Sequence, residues 1–202
     1  MSTKLGEVQV AVSKARTTDE YQEILYSNLE EYDHLSRMIS DMLFLAKADN
    51  GLIVPNKEKV NLAQEVQVVI DFFEPLADEK NVKIVSTGNA SIIGDKLMMR
   101  RAINNLLSNA IRHTDENQQI NINIEMMESN QIRLTIENPC EPISQEHLTK
   151  IFDRFYRIDP SRQRNSEGSG LGLAITKSII ESHGGKVFAT SGMGNIQLEI
   201  II

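Results

Sequence analysis

Apolar residues recur at helical spacing over the first fifty positions of this 202-residue chain. The residues that predict a first helix are Leu5, Val8, Val12 and Ala15. Thr17, with Glu20 three residues on, is a capping-box signature for a longer second helix that ends near Ala48. The apolar stripe of this second helix comprises Leu25, Leu29, Tyr32, Ile39, Met42 and Ala46. One short helix would not cover this stripe, so we expect pairing with a second subunit; a hairpin packed on the rest of the chain is the alternative.

The pattern changes to a period of two later in the chain. Apolar residues alternate with polar ones over 120–126 and 132–136, which predicts two half-buried antiparallel strands. Shorter strands are predicted over 82–87, 91–93, 187–189 and 196–200. Asn61 and Asp95 are candidate helix caps, and further helices are expected after Ser144 and near Gly170. Interleaved helices and antiparallel strands predict an α+β two-layer sandwich, preceded by the helical hairpin. We place the domains at residues 1–54 and 57–202.

Composition narrows the class of protein. The net charge of −7 argues against a nucleic-acid or anionic membrane surface as partner. Cys140 stands alone, which excludes an internal disulfide and fits a reducing compartment. The sequence contains neither a signal peptide pattern nor an apolar run of the ~20 residues that span a bilayer.

Two short segments carry the candidate chemistry. Asn105 and Asn109 stand four residues apart, which puts both carboxamides on one face of a helix. The second segment is a glycine-rich turn that opens a helix, Gly168-Ser169-Gly170-Leu171-Gly172-Leu173. Backbone N–H groups in this setting stabilise anions such as phosphates. Each motif alone is weak, because surface amides and glycine turns are common, but together they predict a nucleotide site.

Asn109 is the candidate magnesium ligand. A carboxamide oxygen is a hard, neutral ligand, and Mg²⁺ takes few protein ligands beside phosphates and waters. Asn105 can support the same cluster, and Arg112 and His113 lie near that face, within reach of phosphate or ribose.

The stretch from Ile158 to Ser169 is long, polar and glycine-punctuated, which predicts a mobile lid. Phe152 and Phe155 precede it and are interpreted either as core residues or as an anchor for the lid. The arginines that would make this region cationic and suited to a triphosphate are Arg154, Arg157, Arg162 and Arg164. A solvated charge run is the alternative for the last two.

The order of these motifs is specific. Paired asparagines, a turn at Glu137-Asn138-Pro139, the run Phe152-Asp-Arg-Phe-Tyr-Arg157 and the glycine turn together resemble the ATP-binding domain of bacterial sensor histidine kinases. The resemblance covers residues 57–202 and implies a Bergerat-type ATP-binding fold. Residues 1–50 are similar to the remainder of that family's dimerisation hairpin. The residues at 40–50, 137–139 and 159–164 are most similar to those of the copper/silver (heavy-metal) sensor kinases.

The resemblance implies roles for single residues. Asn105 and Asn109 would be catalytic residues in an asparagine box, with Asn109 on Mg²⁺ beside ATP. The other positions that it implies for ATP binding are Arg112, His113, Asn138, Ile143, Phe152, Phe155, Arg157, Gly168, Gly170, Leu171, Gly172 and Leu173.

Two positions bear on adenine binding and on the reaction: Asn138, which departs from the family pattern, and Asn105, which differs from related ATPases. The family's adenine-binding aspartate is replaced here by Asn138, and both glycines that follow it are absent, so the adenine amine would be accepted without charge assistance. Related ATPases carry a glutamate, the general base for water, where Asn105 stands. An amide cannot take that proton, which disfavours hydrolysis and favours transfer to a presented nucleophile.

The resemblance also implies two partners, a second copy of the chain and a response regulator. It further implies that this part lies in the cytoplasm and belongs to an inner-membrane sensor, whose membrane segments are missing here. The family's phosphoacceptor motif, His-Glu-x-Arg-Thr-Pro, is absent from this sequence. We therefore expect this chain to bind Mg·ATP without phosphorylating itself. The alternatives are a nucleotide-free scaffolding module and a superfamily ATP hydrolase.

Overall fold

The structure, a computed structural model, describes residues 6, 9, 13, 17–158 and 169–202. The chain divides into two compact units, residues 1–43 and residues 44–202. Among the helices of the described residues, none has the length and apolar character that crossing a membrane requires.

Helix α1 spans Thr18–Asp49. The predicted capping box is confirmed, because the Thr17 N–H donates to Glu20 Oε2 at 2.8 Å and the Glu20 N–H donates to Thr17 Oγ1 at 3.3 Å. Four of the apolar residues in the predicted stripe, Leu25, Leu29, Tyr32 and Ile39, are each more than half exposed. The residues that predict an earlier helix lie outside the described part of the chain.

The second unit carries the remaining elements. In chain order they are β1 Glu58–Asn61, α2 Leu62–Glu79, β2 Lys83–Gly88, β3 Ser91–Gly94, α3 Lys96–His113, β4 Gln119–Met126, β5 Ile132–Pro139, α4 Gln145–Lys150, α5 Gly172–Ser182, β6 Lys186–Gly192 and β7 Asn195–Ile201. Strands β1 and β3 pair with each other, and the main sheet has the order β2-β4-β5-β7-β6. The predicted α+β two-layer sandwich is confirmed.

The core lies between the sheet and the helices α2, α3 and α5. Every second residue of the central strands is buried, as with Ile122, Ile136 and Leu198. Their neighbours in sequence, such as Asn121, point to the other face, where Arg133 donates to Glu125 at 2.8 Å. This period-two pattern explains why helices cover one face of the sheet.

Two strand predictions need correction. The segment Glu137-Asn138-Pro139 was expected to be a turn, but it is the end of β5 and pairs with β7 down to Pro139. Proline is tolerated there because β4 pairs with β5 only as far as Glu137, and the next N–H, that of Cys140, donates to the Gly194 carbonyl at 2.8 Å. Strands β2 and β4 are parallel rather than antiparallel. The long crossover through β3 and α3 between them allows that direction.

Candidate nucleotide-binding site

Helix α3 presents the paired asparagines. Its N-cap is Asp95, whose Oδ1 accepts from the Met98 N–H at 3.0 Å, as the sequence predicted. Asn105 and Asn109 lie one turn apart and are half-buried, between the core-facing stripe of the helix and solvent. Arg112 and His113 are exposed in the last turn. The helix therefore carries amide oxygens in its middle and cationic or polar groups at its end.

The C-terminal end of α3 is held by a residue that the sequence analysis missed. Lys80 Nζ donates to three backbone carbonyls, those of Ile111 at 2.9 Å, Thr114 at 3.1 Å and Arg112 at 3.3 Å. The last carbonyls of a helix have no partner within the helix, and a cation complements them. A single lysine after another helix carries no sequence signal for this role.

The asparagine pair and the glycine turn meet in space. Asn105 Nδ2 donates to the carbonyl oxygen of Gly172 at 3.0 Å. A Cβ atom on Gly172 would lie 3.6 Å from Asn105 Cγ, in ordinary van der Waals contact. Residues 67 positions apart are thus joined by one hydrogen bond. The structure brings together the two motifs that the sequence analysis singled out.

The N-terminus of α5 has the backbone donors that stabilise an anion. Its cap residue, Leu171, is fully buried and its side chain makes no capping hydrogen bond. The N–H groups of the first turn, including those of Gly172 and Leu173, have no acceptor within the helix. Burial of Leu171 anchors this end, and the N–H groups remain directed along the helix axis, where negative charge is stabilised.

The phenylalanine segment, residues 152–157, contacts the glycine turn. The Phe155 N–H donates to the Gly170 carbonyl at 2.9 Å, and both residues have a positive φ, +61° and +70°. A Cβ atom on Gly170 would lie 3.0 Å from Phe155 Cα, so this approach requires glycine. Phe155 is 53% exposed and Phe152 half-buried. Phe155 therefore lies outside the core and adjoins the end of the predicted lid.

Two side-chain contacts fix the same segment. Tyr156 Oη and His147 Nδ1 lie 2.6 Å apart, which ties the segment to α4. Arg154 donates to the Asp49 carboxylate at the end of α1, and this hydrogen bond lowers the pKa of Asp49 below its usual 3.8. Arg154 was expected among the cations for a triphosphate, and its guanidinium instead pairs with Asp49.

The structure describes only some of the remaining residues that were predicted for the site and the lid. Arg157 is half-buried at the end of the phenylalanine segment. Gly168, Arg162 and Arg164 lie outside the described residues, and the lid stays a prediction. The Ile143 N–H donates to Ser191 Oγ at 3.2 Å, which attaches the loop after β5 to β6.

Asn138 lies at the end of β5 and is 1% exposed. It shares the strand face of Ile136, which is turned toward the helices. Its Nδ2 donates to the Pro139 carbonyl at 3.0 Å. This bond orients the amide so that Oδ1 is the atom left for an incoming donor.

A two-layer α+β sandwich in which an asparagine-bearing helix meets a glycine turn defines a class of nucleotide-binding domain. Residues 94–198 match the family model described as "Histidine kinase-, DNA gyrase B-, and HSP90-like ATPase". The chain belongs to this family.

Similar proteins cover nearly the whole chain. It is 47% identical over 199 residues to "Sensor histidine kinase CusS" of Escherichia coli O6:H1, a match that takes in 98% of this chain and 41% of the relative. It is 48% identical over 186 residues to "Probable sensor kinase SilS" of Salmonella typhimurium, across 90% of this chain and 37% of the relative. The chain thus spans about two fifths of the length of these relatives.

Among solved structures, the fold is similar to that of the Acinetobacter baumannii histidine kinase AdeS. The TM-score is 0.83 at 21% identity, with 100% of this chain and 93% of the other covered.

Proposed function

We propose that this chain is the ATP-binding kinase core of a two-component sensor histidine kinase. The hydrogen bond from Asn105 to Gly172 carries the proposal. It places the candidate metal-binding helix against the candidate phosphate-binding turn, in a chain that belongs to the family and resembles sensor kinases over nearly its full length. The metal-sensing subgroup rests on the likeness to CusS and SilS.

The donor set fits magnesium and a polyphosphate. Among the described residues no three His, Cys, Asp or Glu side chains cluster to hold a metal ion. A neutral amide such as that of Asn109, with phosphate oxygens and waters completing the shell, suits Mg²⁺. The N–H groups at the start of α5 suit phosphate oxygens, and Arg112 and His113 add donors at the end of α3. Bound Mg·ATP supplies the phosphoryl group that is transferred.

Asn138 is proposed to recognise the base. Its Oδ1 is an acceptor for the amine of adenine, and its orientation is fixed by the bond to Pro139. Ile143, in the loop attached to Ser191, is proposed to pack beside the same base. The neutral amide gives a weaker bond than the family's carboxylate.

The nucleophile is proposed to be a histidine that this sequence does not contain. Asn105 holds no proton-accepting group and donates its amide to Gly172, so it does not activate water. The site therefore favours transfer to a presented imidazole, from which phosphate would pass to a response regulator.

The exposed stripe of α1 is proposed as the pairing surface of a homodimer. Leu25, Tyr32 and Ile39 are 65%, 66% and 58% exposed along this helix. Apolar side chains at this spacing are typical of helices that pack on a partner helix. The whole protein is proposed to lie at the inner membrane with this part in the cytoplasm.

Calorimetry tests the proposal directly. Titration with Mg·ATP and Mg·ADP should show binding to the wild-type chain. Asn109→Ala should weaken Mg·ATP binding about tenfold, which corresponds to the loss of one metal or phosphate contact. Asn104→Ala is the matched control, because Asn104 lies on the same helix one position from Asn105 and is also half-buried. No heat with either nucleotide would favour a scaffolding module. Steady phosphate release that Asn105→Ala abolishes would favour a hydrolase.

A further inference from the structure

His183 links helices α3 and α5 at the ends away from the Asn105–Gly172 contact. It is the C-cap of α5, and its ring contacts the start of α3. Its Nδ1 lies 2.7 Å from the Ile179 carbonyl oxygen, and its Nε2 lies 2.9 Å from the Asp95 backbone nitrogen. Both ring nitrogens of this half-buried histidine are therefore engaged.

The two partners fix the tautomer. The Ile179 carbonyl can only accept, so Nδ1 carries the hydrogen. The Asp95 N–H can only donate, so Nε2 is the bare acceptor. A neutral imidazole with its hydrogen on Nδ1 satisfies both bonds at once, and a side chain without an acceptor at the Nε2 position leaves the Asp95 N–H without this partner.

Glycines before α3 and directly after His183 allow the imidazole ring to occupy this position. A Cβ atom on Gly94 would lie 2.8 Å from His183 Cδ2, so the ring packs directly on the backbone that precedes α3. After the histidine, Gly184 has φ +78°, and a Cβ atom on Gly185 would lie 2.5 Å from the Ile201 carbonyl oxygen. The turn from α5 into β6 thereby sets the direction of the imidazole.

Asp95 connects the His183 ring to helix α3, because it is the N-cap of that helix. Besides capping the helix through Met98, its carboxylate accepts from the Asn56 N–H at 3.0 Å. Although partial burial acts to raise the pKa of Asp95, the hydrogen bonds from Met98, Asn56 and Leu97 outweigh it and lower that pKa overall. The cap is therefore a charged, fully engaged group to which the His183 ring is attached.

The two helices are consequently bonded at both ends of α5. Asn105 joins the start of α5 at Gly172, and Asp95 joins its end at His183. We propose that His183 is a positioning residue that fixes α5 along α3 and thereby sets Asn105 and Asn109 opposite the glycine turn. This rests on the proposed function, since it concerns the geometry of that nucleotide site.

Variants of His183 separate positioning from simple stability. His183→Phe keeps an aromatic ring, larger by one ring atom, and removes both hydrogen bonds. His183→Gln retains an acceptor near the Nε2 position. Val82→Ala is the control, because Val82 is buried beside β2, at the sheet edge opposite to β6, which α5 contacts. The melting temperature of each variant measures how much stability the substitution removes.

Two readouts are measured on the full 202-residue chain. One is the affinity for a fluorescent Mg·ATP analogue. The other is the NMR signal of the Asn105 side-chain amide without nucleotide, which reports its bond to Gly172. We expect His183→Phe to weaken the affinity about tenfold and to shift the Asn105 signal. His183→Gln should keep most of the wild-type affinity and most of the wild-type Asn105 signal. Val82→Ala should change neither the affinity nor the Asn105 signal, even where its melting temperature falls by a comparable amount.

The outcomes distinguish the two proposals. If the wild-type chain binds no nucleotide, the proposed function fails, and the Asn105 signal still tests the positioning role. If His183→Phe leaves the Asn105 signal unchanged, or alters it no more than Val82→Ala does, the positioning role is overturned. Nucleotide binding by the wild-type chain would then stand unaffected.

Discussion

Arg154 donates to the carboxylate of Asp49, and this ion pair joins the last turn of α1 to the segment that carries Phe152 and Phe155. About one turn earlier in α1, the guanidinium of Arg101 lies 4.5 Å above the ring of Phe44. Both arginines belong to elements of the candidate site, one to the phenylalanine segment and one to α3. The end of α1 is thus held by charge and ring contacts to both.

Asp49→Asn should loosen the phenylalanine segment. The pKa of Asp49 is lowered in the folded protein, so its contribution to stability is present above the unfolded pKa of about 3.8 and is lost as the pH falls through the folded value. We expect faster amide hydrogen exchange over residues 152–157 in the variant at neutral pH. The difference from wild type should vanish under acid conditions. Asp71→Asn, on the exposed side of α2, is the control, and equal exchange in all three proteins would contradict the prediction.

Lys80→Met should destabilise the chain. The substitution keeps the aliphatic length and removes three hydrogen bonds to the last carbonyls of α3. We expect the free energy of unfolding to fall by about 1–3 kcal/mol, measured by urea denaturation. Lys83→Met, at an exposed lysine three positions on, should change it by less than about 0.5 kcal/mol. Similar values for the two variants would argue against the capping role.

Gly170 and Gly172 should respond differently to alanine. Gly170 has φ +70° and its Cβ would lie 3.0 Å from Phe155 Cα, so Gly170→Ala should cost about 1–2 kcal/mol of stability. Gly172 has no positive φ and its Cβ would meet Asn105 at 3.6 Å, so Gly172→Ala should change stability by less than about 0.5 kcal/mol. Chemical denaturation of both variants checks the contrast, and the reverse order would refute it.

Asn138→Asp, which introduces the residue that the family resemblance implies at this position, should lower stability. A carboxylate cannot donate to the Pro139 carbonyl as the amide does, and it is placed at a position that is 1% exposed. Burial beside a carbonyl raises the folded pKa of such a carboxyl group, so the penalty applies above the folded pKa and shrinks as the pH falls through it. We expect a lower melting temperature than wild type at pH 8 and a smaller gap at pH 5. Asn138→Ala, which does not titrate, should keep a constant gap.

Leu29→Glu should weaken self-association. Leu29 is 57% exposed in the apolar stripe of α1, and a charge there would have to be buried on pairing. Sedimentation velocity should show a shift from dimer to monomer. Leu52→Glu is the control, because Leu52 is 68% exposed and lies beyond the helix. A wild-type chain that is monomeric at all concentrations would contradict the pairing surface.

Local features could be predicted well from the sequence. The capping box at Thr17, the caps Asn61 and Asp95, and the alternation that forms β4 and β5 each depend on residues a few positions apart. The family resemblance followed from motif order, and the family match confirms it. The turn expected at Asn138 failed, because proline and asparagine favour turns only where no neighbouring strand continues the ladder.

The sequence by itself determined the family and most of the helices and strands, because periodic burial and end caps act over one or two turns of chain; strand β1 was not predicted. Tertiary structure alone decided that Asn105 meets Gly172, that Lys80 holds the end of α3, and that Arg154 pairs with Asp49. Each of these contacts joins residues more than thirty positions apart. Their distances depend on how helices pack across the sheet, and no local pattern encodes that geometry.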